Sequence, residues 1–180
     1  MIFKDSIELV SLAGSFQPVI DHFNRHKNNL RFLALLSPTW PGWSLRGTRA
    51  VQKSIIDEFP NTQMNVTIVW INMLPNDSDV TAKDSAVNLS DKSIQHFYDP
   101  DKLSGKAIAE SVGWKDKVAW DIYLFYVAGA EWIEDPPIPD AWMHQLSEKW
   151  ADREHFRTGE YLAEELYSTV KALLETGCLK

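Results

Sequence analysis

The sequence predicts a three-layer α/β sandwich: a mixed central sheet with helices on both faces. Three observations carry that expectation. Arg31-Phe32-Leu33-Ala34-Leu35-Leu36-Ser37 is a short, nearly continuous apolar run that stops at Pro38, the pattern of a strand buried on both faces. Met64-Asn65-Val66-Thr67-Ile68-Val69-Trp70-Ile71 is a second run, rich in β-branched residues. Segments with helical spacing lie between such runs, so successive strands join through helices and pair in parallel by right-handed crossovers.

The elements follow in order. An N-terminal helix is expected over about residues 17–28, with Phe16, Val19, Ile20 and Phe23 on one face and Pro18 tolerated in its first turn. After the first strand comes the loop Thr39-Trp40-Pro41-Gly42-Trp43. Ser44 is a plausible N-cap for a helix running to about Phe59, stopped by Pro60-Asn61. Pro75-Asn76-Asp77-Ser78 reads as a turn, and residues 79–90 as a weakly patterned helix. Ile94–Tyr98 is a short strand closed by Asp99-Pro100-Asp101. Lys102–Val112 is a helix, with Gly113 as its C′ residue. Ala119–Val127 is the most strand-like segment; through Ala128-Gly129-Ala130 it is expected to turn back as Glu131-Trp132-Ile133, forming a hairpin. Asp135-Pro136-Pro137-Ile138-Pro139 is a stiff connector. Two further helices, about residues 140–151 and 159–175, complete a C-terminal helical extension. All this fits a single domain over residues 1–180, with its core at about 30–134 and the C-terminal helices at about 139–176.

Composition narrows the function. The chain has 180 residues, a formal net charge of −7 and no long basic run, which argues against non-specific nucleic-acid binding. No apolar stretch approaches the roughly 20 residues of a membrane-spanning helix, and the charged N-terminus does not resemble a signal peptide. A single cysteine, Cys178, excludes an internal disulfide and fits a reducing, cytoplasmic setting. No motif for a cofactor is present.

The layout resembles the thioredoxin fold in its redoxin-type branch. The residues that carry the likeness are the strand and loop Leu33–Trp43, then Phe97-Tyr98-Asp99-Pro100-Asp101, the helix ending Ser111-Val112-Gly113, and the late apolar hairpin; together they span about residues 30–134. The resemblance implies a Cys-x-x-Cys pair in the loop, but Trp40-Pro41-Gly42-Trp43 stands there. It also implies a buried acid where this chain has Ala34. The cis-proline expected before the hairpin strand is replaced by Trp120, within one residue of register. The peroxidase pattern that would start at Thr39 meets Gly42 at its cysteine position. The family's nucleophile is a thiolate, for which an indole is no substitute. No catalytic residue is therefore assigned.

Thr39, Trp40, Pro41, Gly42, Trp43 and Trp120 form the candidate binding site. Aromatic residues on a loop at the C-terminal end of a central strand suit a peptide, a protein or a small apolar ligand; the same tryptophans also fit a packing role under the loop. The alternative is an oxidoreductase-related enzyme acting through Cys178 or a partner's thiols. A third is a structural role in a homodimer. His22 and His26, four apart on one helix, and His144 and His155 with Glu148 and Asp152, have metal-like spacing but no evident complete ligand set, so no metal site is assigned. Ser44 suits a helix cap better than a nucleophile, since no histidine lies near it in sequence.

Overall fold

Seven consecutive buried residues place β2 (Leu30–Leu36) at the centre of the sheet. The computed structural model describes the chain except residues 1–6, 41–42, 61, 63, 90, 92, 148 and 178–180 and the side chains of 43–45 and 177. Its elements are β1 (Leu9–Ser11), α1 (Gln17–Arg25), β2, α2 (Trp43–Val51) continuing as a π-helical turn (Gln52–Ile56), β3 (Met64–Ile71), α3 (Asp79–Asn88), β4 (Ile94–Asp99), α4 (Leu103–Ser111), β5 (Ile122–Tyr126), β6 (Ala141–His144) and α5 (Gly159–Gly177). The strands lie in the order β1-β4-β3-β2-β5-β6. The first four are parallel, and β5 runs antiparallel to both β2 and β6.

Strand alternation divides the core into two layers. Phe32, Ala34 and Leu36 of β2 face the cluster containing Val51 of α2 and Ile55 of the π-helical turn, Ala82 and Ala86 of α3, and Leu162, Leu166 and Val170 of α5. Leu33 and Leu35 face the opposite cluster, with Val19, Ile20 and Phe23 of α1 and Ile108 and Ala109 of α4. Helices therefore cover both faces of a mixed sheet, as the apolar runs predict.

Polar anchors fix the joints. Ser78 caps α3: its hydroxyl accepts from the Thr81 N–H at 3.2 Å and its own N–H donates to the Thr81 hydroxyl at 2.9 Å. Asp99, fully buried, accepts from the Ser104 N–H at 2.8 Å and starts α4. Trp70 Nε1 donates to His96 Nδ1 at 3.2 Å, which fixes that imidazole as the neutral tautomer; burial pushes its pKa down to about 4.

The structure departs from the sequence reading in several places. Residues 141–144 form β6, not a helix: they pair with Phe125–Ile122 and supply the hairpin's second strand. Glu131-Trp132-Ile133 lies in the connection instead, with Trp132 buried and its backbone held by the side chain of Asn24. The C-terminal extension is thus one helix, α5. β5 is shorter than Ala119–Val127 because Asp121 adopts φ 48°, outside extended geometry. α2 starts at Trp43, so Ser44 lies inside the helix and not at its cap. β1 has no counterpart among the elements that the sequence predicts.

Arg31 secures the pole where β5 ends. It is 1% exposed, and its guanidinium donates to the carbonyls of Val127 at 2.6 Å and Ala130 at 2.7 Å, with Phe23 stacked 4.3 Å away. Burial lowers its pKa, partly offset by Asp140. Arg31→Leu leaves two carbonyls without their donor and should lower unfolding stability by about 2–4 kcal/mol in urea titrations. An unchanged midpoint would contradict this role.

Candidate functional site

The loop after β2 is immobilised by one carboxylate. Asp77 is 8% exposed and lies beyond the end of β3. One oxygen accepts from the Thr39 N–H at 3.0 Å and the Thr39 hydroxyl at 2.5 Å. The other accepts from the Ser37 hydroxyl at 2.8 Å and the N–H groups of Met73 and Leu74 at 2.8 and 2.7 Å. Charge-assisted bonds of this kind are roughly twice as strong as neutral ones. Ser85 adds a bond to the Pro38 carbonyl at 3.1 Å.

Thr39 therefore works as a loop anchor. Trp40, half-buried, packs edge-on against Trp120, with ring centroids 5.0 Å apart at 80°. Trp120 is 7% exposed and meets Trp150 in the same way, at 6.3 Å and 89°. Trp150 is 37% exposed. Among the described residues, the buried indole N–H of Trp120 has no hydrogen-bond partner. Pro41 and Gly42 lie outside the described residues, as does Cys178; Trp43 opens α2, and its side chain is not among those described. The structure thus joins Trp40 and Trp120 of the expected set and adds Trp150, which the sequence placed on a C-terminal helix.

Asp121, not Trp120, is the residue immediately before β5. Its carboxylate accepts from the Tyr123 hydroxyl and the Gln145 amide, each at 3.0 Å, and the same amide donates to the Tyr123 oxygen at 2.8 Å. Gly47 of α2 makes room for this triangle: a Cβ there would stand 2.1 Å from the Tyr123 oxygen. Burial pushes the Asp121 carboxyl up to about 6, against the two donors.

The histidine groups are also accounted for. His22 lies 4.7 Å from His26 between ring centroids and 3.2 Å from the Asn65 amide oxygen; burial, with His26 beside it, takes its pKa down to about 4. His144 and His155 gather around Asp152. The His155 N–H and ring lie 2.8 Å from one carboxylate oxygen, and Trp114 Nε1 donates to the other at 3.0 Å. Burial disfavours ionised Asp152, but these donors outweigh it and hold its pKa below the usual value. His144 accepts from the Leu146 N–H and lies 2.8 Å from the Asp152 carbonyl; burial lowers its pKa. Glu148 is outside the described residues. Among the described residues, no three His, Cys, Asp or Glu side chains converge as a metal site would need, and no helix is long and apolar enough to cross a membrane.

No protein-family model matches the chain. No curated protein matches it either. A solved structure does: the solution structure of a thioredoxin-like protein in the oxidised form aligns with a TM-score of 0.51 at 12% identity, covering 83% of this chain and 80% of that one. At that identity the likeness shows the fold, which is thioredoxin-like. With one cysteine in the whole sequence, the chain holds no redox-active pair.

Asp121 supplies a pH signature. In an unfolded chain its pKa is about 3.9. Between about pH 4 and 6 the folded protein therefore keeps a proton that the unfolded chain releases, and the stability this confers is lost as pH rises through that window. Asp121→Asn keeps the acceptor and tolerates the left-handed backbone. It should match the wild type near pH 4 and exceed it by on the order of 1–3 kcal/mol at pH 7.5. Equal stabilities at both pH values in urea titrations would refute a raised Asp121 pKa.

Proposed function

We propose that the protein is a non-redox binding module, and that its former active-site face takes an apolar side chain of a peptide or protein segment. The observation that carries this reading is Trp40 held edge-on against Trp120 on a loop locked by Asp77. A ligand meeting this surface would not have to order it, and preorganisation of that kind favours affinity. Tryptophan is also enriched among residues that dominate binding energy. A cytoplasmic setting accords with a single cysteine in 180 residues.

The test is selection from a displayed library of random peptides on the immobilised wild-type chain. Recovered peptides should bind Trp40→Ala at least about tenfold more weakly than wild type. Trp40→Phe, which keeps an aromatic ring on Trp120, should retain most of the affinity. Failure to enrich any peptide, or equal binding to Trp40→Ala, would sink the reading.

A further inference from the structure

The loop from Val127 to Asp140 is held more tightly than a connector needs. Arg31 grips two of its carbonyls, as described above. Asn24 pairs with both backbone groups of Trp132, its amide N–H donating at 2.7 Å and its oxygen accepting at 2.9 Å. Lys27 forms an ion pair with Glu131 at 2.7 Å. Pro136 and Pro139 are buried, and the Asp140 carboxylate accepts from the Val127 N–H at 2.8 Å. Yet Ile133 and Ile138 are each 79% exposed, with Glu134 and Asp135 exposed between them. This fixed frame therefore presents two aliphatic side chains and two carboxylates to solvent.

The indole face has the opposite character and the opposite position. Trp40, Trp120 and Trp150 gather where β2 ends and β5 begins, the end marked by the Leu35–Ile122 pair. The acidic loop lies where β5 ends, the end marked by the Arg31–Tyr126 pair. The length of β5, about 17 Å at 3.4 Å per residue, separates them. The loop therefore cannot reach the indoles of its own chain. Beside Trp150, exposed Lys117 donates to the Trp150 carbonyl, and Lys115 and Lys117 flank Asp116, leaving one net positive charge.

We infer that the indole face of one molecule receives the Ile133–Ile138 loop of a second copy. The inference rests on the reading of that face as a binding surface. The isoleucines seat against Trp150 and the edge of Trp40, and Glu134 and Asp135 approach Lys115 and Lys117. Because the two surfaces differ and occupy opposite poles, the contact is heterologous: it builds open chains or a closed ring, not an isologous dimer.

Mixing two blinded variants of the full chain tests this directly. One carries Ile133→Asp with Ile138→Asp; the other carries Trp150→Glu. Ile133 and Ile138 are 79% exposed and Trp150 is 37% exposed at the edge of the indole cluster; a wild-type circular-dichroism spectrum and thermal midpoint establish that each variant is folded, and Trp150→Gln replaces Trp150→Glu if the latter is not. In sedimentation velocity, the wild type should grow in mass with concentration beyond a dimer, and each variant alone should remain monomeric. Their equimolar mixture should form a one-to-one dimer and nothing larger, since only one intact loop meets one intact face. A wild type that stays monomeric, an isologous dimer indifferent to either variant, or a Trp150→Glu chain that associates like wild type would overturn the inference. Selected peptides that still depend on Trp40 would then leave the binding-module reading standing without this occupant.

Discussion

The carboxylate of Asp77 is the constraint on which the candidate site depends. It joins the exits of two parallel strands, the Ser37–Thr39 segment after β2 and the Met73–Leu74 segment after β3. Loop backbone at the end of a buried strand has donors that must find acceptors. Here one side chain satisfies several at once and fixes where Trp40 stands. Trp40 then has a rigid base in Trp120, which is itself buried before β5. Asp121, Tyr123 and Gln145 close the adjoining space beneath α2, where Gly47 admits the Tyr123 hydroxyl. The face is accordingly a built surface, assembled from the loops that leave β2 and β3 and the segment that enters β5.

The opposite pole is governed by another buried charge. Arg31 gives the hairpin connection its internal donors, so that a fourteen-residue segment, residues 127–140, has a defined course without regular secondary structure. Placing a guanidinium inside the sheet costs desolvation, which its carbonyl partners and the Phe23 ring offset. The two poles thus use the same physical device, an ionisable side chain with several hydrogen-bond partners, to hold irregular backbone in place.

Much of the fold is legible in the sequence because its strands are buried on both faces. The runs Arg31–Ser37 and Met64–Ile71 leave little room for another reading, and Gly113, at φ 81°, ends α4 as its position suggests. The stretch after Pro139 is harder. Ala141-Trp142-Met143-His144 has no strict alternation and no strong β-branched signal, and its pairing with β5 arises across a long connection. Three-residue β1 carries too little pattern to stand out from its surroundings. Of the candidate site, Trp40 and Trp120, which meet edge-on, are legible from the loop and the hairpin. Asp77 is not, since a turn residue 38 positions from Thr39 gives no local sign of that contact. Trp150 is not legible because residues 140–151 read as a helix, whereas residues 149–150 form a turn.

A thioredoxin-like scaffold with one cysteine has no dithiol pair of its own to exchange. Turbidimetric reduction of insulin by dithiothreitol tests it most directly, comparing the unmodified chain, a Cys178→Ser variant, and a variant carrying Trp40→Cys with Trp43→Cys. The account predicts that the first two leave the uncatalysed rate unchanged and that only the double-cysteine variant accelerates it. Acceleration by the unmodified chain that disappears in Cys178→Ser would contradict it.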